Sequence, residues 1–437
     1  MTHFGILCPA ADGHLNPMTT LGSELLRRGH QVTVFCFADA KARTLASGLE
    51  FQPLAENEFP LGAIAENLTK MGELSGLAAL RYNFNAVVKT SAVIFREAPE
   101  IIKKADVKAL LVDQYSLEGG TVSEFINLPF ITICNGLMLH REANIPPICT
   151  LWQYNSNWGG CLRNQVGYQS LNLLTKPIKE VIAEYRRKWK LPLHSHPNDA
   201  YSKLAQLSQQ PPKFEFPRKK LPPHFHFTGP YHNPATRKPV PFPFEKLTGQ
   251  PLIYASMGTI QNQLLEVFQT IASACEGLDA QLVISLGGGA SPESLPQLPG
   301  NPIVVGYAPQ LELLQKATLT ITHAGMNTTL ESLSYGVPMV AIPVANDQPG
   351  VATRIAYTGV GEVVSLKELS VDKVRSAIVK VLTQESYRKR AIEMQKAIAR
   401  SGGTTRAADI IEQVVLTGKP VLASQISNLS CGVQSKI

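Results

Sequence analysis

Leu319-Thr320-Ile321-Thr322-His323-Ala324-Gly325-Met326-Asn327-Thr328-Thr329-Leu330-Glu331, followed by Pro338-Met339-Val340-Ala341-Ile342-Pro343 and then Asp347-Gln348, decides how this chain folds. Leu319 to Thr322 is a short β-branched run with period-two alternation, which predicts a strand. His323 and Gly325 close it, and Asn327 and Thr328 suit the start of a helix. Such a strand–Gly–helix turn aims unpaired backbone N–H groups and the positive end of a helix dipole at one point, a place to hold phosphate. Glu331 falls about one turn further on, and Asp347-Gln348 follow the next strand. Both strand ends present polar groups to one crevice, where open α/β sheets bind ligands. Upstream, Val305-Gly306-Tyr307-Ala308-Pro309-Gln310 leads into the same region through a short helical run.

Outward from this stretch the same plan repeats. Phe4 to Pro9 predicts a buried strand, Ala10 to His14 a loop, and Asn16-Pro17 a helix start, with Asn16 as N-cap. Met18, Leu21, Leu25 and Leu26 share one face of that helix, Gly29 ends it, and Gln31 to Phe37 predicts a second strand. His14 thus lies on the loop at the carboxyl end of the first strand of a βαβ unit. Ala109 to Val112 predicts a buried strand ending at Asp113, and Pro129 to Cys134 the next. Helices are expected over 77–95, 99–104 and 175–189. Asn135 to Trp158 has no period and is expected to line a surface or pocket. Prolines crowd the chain from Pro211 to Pro243, which predicts a linker. Beyond it a strand over 252–256, a turn at Met257-Gly258-Thr259, a helix over 263–275 and a strand over 281–285 restart the pattern. A strand over 303–305 and helices over 349–357, 371–382 and 387–400 complete it. The expected fold is α/β, with two Rossmann-like, doubly wound parallel-sheet domains facing a cleft. Residues 1–210 form the first domain, 211–250 the linker, 251–417 the second domain and 418–437 a loose tail.

Composition narrows the function. With 17% charged residues and a net charge of +7 over 437 residues, the chain reads as an ordinary globular enzyme, mildly basic and compatible with phosphate-bearing ligands. No basic-aromatic stripe points to nucleic acid. The seven cysteines are scattered and form no Cys-x-x-Cys pair, which argues for a reducing compartment and against a zinc site or disulfide framework. Neither a signal peptide nor a long apolar span is evident, so a cytoplasmic location is expected.

The run from Tyr307 to Gln348 resembles the donor-binding signature of UDP-dependent glycosyltransferases of the inverting, two-Rossmann-domain type known as GT-B, and the resemblance covers nearly the whole chain. Within that superfamily it runs furthest toward the bacterial zeaxanthin glucosyltransferases, which glucosylate a carotenoid hydroxyl. That likeness rests on Asp113-Gln114, on Phe216-Pro217-Arg218-Lys219 before Gly229-Pro230, on Asp347-Gln348-Pro349-Gly350-Val351-Ala352, and on the run Ala407 to Gln413. By this resemblance His14 is the catalytic base and Asp113 its acidic partner. Tyr307 stacks on the uracil and Ala308 meets it through the backbone. Gln310 and Glu331 serve the ribose. His323, Asn327 and Thr328, around Gly325, contact the pyrophosphate, and Ser256 and Thr259 approach it from the other side. Asp347 and Gln348 hydrogen-bond the sugar hydroxyls. Tyr307 stands where the superfamily often has Trp, and Met326 where plant relatives have Trp.

These roles suit the chemistry. An acceptor hydroxyl is a poor nucleophile, and a base with a pKa near ~6.5 that takes its proton as the C–O bond forms avoids outright ionisation. A carboxylate on the other ring nitrogen would orient that base. Helix N-terminal N–H groups would stabilise the departing diphosphate without a metal, and no Asp-x-Asp element is present to hold one. Taken singly, each feature has a plainer explanation: a structural histidine, a capping aspartate, a polar loop. Their joint spacing points to a nucleotide-sugar site. The expected partners are a UDP-sugar co-substrate, with no other cofactor, and a lipophilic acceptor. Macrolide, sterol or lipid transfer, sugar epimerisation and non-catalytic binding stand as alternatives. The basic clusters at Arg186–Lys190 and Arg218–Lys220 suggest peripheral membrane contact. Leu137-Met138-Leu139 and Ile145 to Ile148 suggest an apolar acceptor pocket, with ordinary core packing as the competing reading.

Overall fold

A computed structural model describes residues 1–72, 74, 76–233, 239–259, 265–288 and 290–424. Two parallel sheets organise them. The first holds β1 (His3–Leu7), β2 (Gln31–Cys36), β3 (Glu50–Pro53), β4 (Ala109–Asp113), β5 (Phe130–Cys134), β6 (Gln206–Ser208) and β7 (Phe225–Phe227), in the order β3-β2-β1-β4-β5-β6-β7. The second holds β8 (Leu252–Ser256), β9 (Gln281–Ser285), β10 (Ile303–Val305), β11 (Ala317–Thr322), β12 (Met339–Ala341) and β13 (Gly361–Val363), in the order β10-β9-β8-β11-β12-β13. The central strands are short apolar runs because helices cover both faces; every residue of β4 and β8 is buried.

Chain direction in strand order reverses once in each sheet, between β1 and β4 and between β8 and β11. The strands at these points run in register, Leu7 beside Val112 and Ser256 beside Thr322. Loops leaving the carboxyl ends of two such neighbours part to opposite faces and open a crevice. The residues singled out in the sequence, His14 and Asp113 in one half and Ser256 and His323 in the other, follow or end these four strands.

The structure redraws several expected boundaries. The first helix runs from Asp12 to Arg27 with Ala11 at its N-cap, so His14 belongs to its first turn rather than to a loop, and Pro17 lies inside it. The helices expected over 77–95 and 99–104 are one, Gly76–Lys104, with Pro99 internal. A helix over Trp158–Leu174 was not expected. The start expected for the helix at residue 263 lies outside the described residues; the helix is described from Leu265 to Cys275.

The Pro-rich stretch 211–250 is built into both halves. Phe225–Phe227 adds the seventh strand of the first sheet, while Phe214 is fully buried in a cluster with Leu330, Val351 and Ile355 of the second half. Gly403–Thr417, expected with the second domain, returns to the first. Ala407, Ile410, Ile411 and Val414 share a core with Phe4, Met18 and Leu21, and Arg28 donates to Asp409 and Glu412, each at 2.7 Å. Each buried aliphatic side chain there contributes about 1.5–3 kcal/mol, so this helix straps the halves together. The expected tail is pinned at its start: Val421 is buried, and its N–H donates to the Leu204 carbonyl at 2.9 Å. Residues 425–437 lie outside the described part. Among the described residues no helix is long and apolar enough to cross a membrane.

Candidate active site

His14 and Asp113 meet at the first reversal point. His14 Nδ1 lies 2.8 Å from Asp113 Oδ2. The Asp113 side chain is fully buried, whereas His14 keeps 23% of its side chain exposed. A buried carboxylate needs several donors to stay charged. Asp113 has three: His14, Asn135 Nδ2 on Oδ2 at 2.7 Å and the Tyr115 backbone N–H on Oδ1 at 2.8 Å. Burial pulls the His14 pKa down, but the charge and hydrogen bond of Asp113, aided by the charge of Asp347, leave it raised above 6.5. With Nδ1 committed to Asp113, proton exchange falls to Nε2. The Tyr115 ring packs edge-on against His14, centroids 4.9 Å apart.

The second reversal point gathers the other expected residues. Gly325 is the N-cap of the helix Met326–Ser334, and Ala324 before it has φ 63°, a left-handed turn that swings the first helical N–H groups toward the crevice. His323 is wedged between Gly258 and Gly325: a Cβ on either would lie 2.6 or 2.4 Å from its Nε2. Burial pushes the His323 pKa down to about 4, so the ring is neutral near pH 7, and its Nδ1 is buried without a protein partner. Ser256 ends β8 and Thr259 is exposed in the turn that follows.

Gln310 opens the helix Gln310–Lys316. It accepts from the Tyr254 hydroxyl at 3.1 Å, and its amide nitrogen donates to Glu331 and, at 3.5 Å, to Thr328. Glu331 is thereby held, almost wholly buried, at the floor of the crevice. Tyr307 is 55% exposed with half-buried Ala308 beside it. An aromatic ring this exposed at the rim of a polar crevice is placed to stack on a flat ligand.

Contacts across the cleft bring the two sets together. Asn327 Nδ2 donates to the Gly13 carbonyl at 2.8 Å and its Oδ1 accepts from Gln209 at 3.4 Å. That carbonyl is open because its intrahelical donor would be residue 17, a proline. The Asn327 side chain therefore ties the halves together, leaving its backbone N–H to an anion. Asp347 Oδ2 accepts from the Leu137 backbone N–H at 3.0 Å and from the Tyr115 hydroxyl at 3.4 Å. Gly136 permits this approach, since a Cβ there would lie 2.9 Å from Asp347 Oδ2. Gln348 turns its carbonyl back to the Val344 and Ala345 N–H groups at 2.8 and 2.9 Å, so only its amide N–H groups are left for a ligand.

Sequence reasoning missed Tyr115, Asn135, Gln209 and Tyr254, the residues that hold the expected ones. Their positions in the chain carry no shared spacing; only the fold brings them in. Packing takes up part of two expected features. Leu137 and Met138 are core residues. In the basic clusters Arg186 and the Arg218 side chain are buried, Arg186 paired with Glu124 at 2.7 Å and Arg218 donating to the His140 carbonyl at 2.7 Å, while Arg187, Lys188, Lys190, Lys219 and Lys220 are exposed.

A cleft between two doubly wound domains, with a histidine–aspartate pair on one wall and a helix N-terminus on the other, is the frame of a GT-B glycosyltransferase. Residues 193–398 match the family described as UDP-glucoronosyl and UDP-glucosyl transferase. Zeaxanthin glucosyltransferase of Pantoea ananas is 34% identical, covering 97% of this chain and 98% of the relative. Its namesake from Pseudescherichia vulneris is 31% identical, covering 96% of this chain and all of the relative. The solved glycosyltransferase of kitacinnamycin superposes with a TM-score of 0.74 at 21% identity, over 94% of this chain and 98% of that one. The protein belongs to the UDP-glycosyltransferase family and has its GT-B fold.

Proposed function

We propose that the protein transfers a hexose, glucose being the expected one, from a UDP-sugar to a hydroxyl of a lipophilic acceptor of the carotenoid class, with inversion at the anomeric carbon. The observation that carries the mechanism is the His14–Asp113 pair, one residue away from the Gly13–Asn327 contact that joins it to the diphosphate-side helix. The acceptor class is supported by the two zeaxanthin glucosyltransferases that align over nearly the full chain.

In this reading the acceptor O–H gives its proton to His14 Nε2 as its oxygen bonds to the anomeric carbon. The bond from that carbon to the diphosphate oxygen breaks on the opposite side, and the electron pair leaves with UDP. Asp113 holds the ring in the tautomer that keeps Nε2 free to accept, and its charge offsets the imidazolium that forms. The first N–H groups of the helix Met326–Ser334 meet the growing charge on the diphosphate. Tyr307 stacks on the base, Gln310 and Glu331 take the ribose hydroxyls, and Asp347 with Gln348 take those of the sugar.

The test is to incubate the protein with UDP-glucose and zeaxanthin in mixed micelles and identify the products by mass spectrometry and anomeric coupling constants. A β-glucoside is expected. His14→Ala should abolish its formation while UDP still binds; full transfer by that variant refutes the mechanism.

A further inference from the structure

The helix Trp158–Leu174 carries its residues the wrong way round for a protein surface. Facing the protein it buries Gly160 and Asn164; the Asn164 amide donates to the Ala143 carbonyl at 3.0 Å. Facing out it shows Trp158, Leu162, Val166 and Leu173, exposed by 81, 50, 58 and 75%. Spacings of four, four and seven residues put these on one side of the helix. Gln165, Gln169 and Ser170 are exposed with them, so the centre of this face has no charge. Water gains nothing from such an arrangement, and contiguous exposed apolar residues of this kind mark a binding surface.

Charge around the face selects the partner. From Ala143 to Lys179 the chain has no Asp or Glu, while Arg163, Lys176 and Lys179 stand on the helix or just beyond its end; Lys176 lies 3.6 Å from the first acidic residue, Glu180. An uncharged apolar centre with a tryptophan and a cationic border is the chemistry of a helix lying in the interface of an anionic bilayer. The position fits as well. The helix rests on the segment 143–152, with Gly167 against Trp152 and Pro147. Within that segment the Ile148 carbonyl accepts from Gly350 at 2.8 Å, three residues from Asp347.

We propose that the outward face of Trp158–Leu174 docks the enzyme on a membrane containing anionic lipid. This inference rests on the lipophilic-acceptor reading, since a membrane-dissolved substrate is what such docking would deliver. The experiment is flotation of the full chain with vesicles of phosphatidylcholine alone and with added phosphatidylglycerol. Wild type and the triple variant Trp158→Ser, Leu162→Gln, Val166→Gln are compared, with Leu416→Gln, an exposed leucine elsewhere, as control. Wild type and control should float with the anionic vesicles, less so in high salt, and the triple variant should partition about tenfold less. It should also retain UDP binding and transfer to acceptor in detergent micelles. Flotation of the triple variant equal to wild type, no flotation of wild type, or a wild-type dimer that the triple variant dissolves would each overturn the proposal. Because flotation needs no turnover, a chain that floats but glucosylates no acceptor would refute the activity reading and leave the docking face standing.

Discussion

Replacing Asp113 by Asn keeps the shape of the buried carboxylate and removes its charge, and the hydrogen bonds around it fix how the new amide must sit. Oδ2 receives two donors, His14 Nδ1–H and Asn135, and Oδ1 receives one, the Tyr115 N–H. An amide nitrogen at the Oδ2 position would face two donors; at the Oδ1 position it faces one. The second orientation is favoured, because it takes the acceptor from one existing donor, the Tyr115 N–H, instead of from two, at about 1–3 kcal/mol. His14 then stays in place, but the carboxylate that does most to raise its pKa is gone, and burial pulls it down against only the charge of Asp347. In wild type the base is unprotonated only above a pKa that lies higher than 6.5, so kcat/KM should fall as pH drops through that value. In Asp113→Asn this acid limb should move to lower pH, and the plateau should drop by about 10²–10⁴-fold as a weaker base meets an uncompensated imidazolium. Initial rates of UDP release with acceptor, measured from about pH 5 to 9 to span the ordinary histidine range, read both quantities, and calorimetric UDP binding should stay near the wild-type value. A plateau and an acid limb both unchanged in a folded variant would refute the assignment of His14 as base and Asp113 as its partner.

Pro17→Ala restores an N–H that competes with Asn327 for the Gly13 carbonyl. The loss of about 1 kcal/mol of cross-domain bonding should raise the donor KM about fivefold, whereas unchanged kinetics would deny the contact any role in closure. Tyr307→Ala should weaken UDP binding by about tenfold, within the range seen for base stacking, and Tyr307→Trp should restore it; titration calorimetry decides. Arg354→Met takes from Glu215 the guanidinium that holds its carboxylate at 2.5 and 3.1 Å with both groups almost wholly buried, leaving Arg218 at 3.5 Å and the Gln210 amide at 3.1 Å. Denaturant unfolding should show a loss of about 3–5 kcal/mol, partly recovered by adding Glu215→Gln. Burial lifts the Glu118 pKa from 4.5 to about 7, so the folded state favours the protonated acid. That contribution is full below pH 4.5 and lost as pH rises through 7, about 3 kcal/mol in all. Glu118→Gln should flatten the decline in unfolding free energy between these values.

How far the sequence could be read follows from where the information sits. A parallel strand buried on both faces is a local apolar run, and a helix N-terminus after glycine is a local motif. Phe4 to Pro9, Ala109 to Asp113 and Leu319 to Glu331 therefore locate the two reversal points by local pattern alone. Proline composition is also local, but its meaning is not. The same prolines that suggested a linker leave Glu215 and Phe216 ordered against Arg354 and Phe214 packed with Val351 and Ile355, because proline-fixed backbone packs well once partners exist. The return of Gly403–Thr417 to the first domain is set by Ala407, Ile410 and Ile411 finding Phe4 and Met18, a pairing across nearly the full chain length that no local pattern encodes. The partner of His14 needed the fold as well: Asp113 is 99 residues away in sequence, Asn135 a further 22, and both reach it only because β4 and β5 lie beside β1 in the sheet.

Trp158–Leu174 went unread for a different reason. Helical periodicity is a signal only when the apolar side faces the protein. Here Gly160, Asn164 and Gly167 face inward while Trp158, Leu162 and Val166 face out, so the period exists but points at the wrong solvent. The same inversion hid the helix and marks it for a membrane. If the flotation experiment bears this out, an apolar stripe with glycine and asparagine on its inner side becomes a pattern to look for when a lipophilic substrate is suspected.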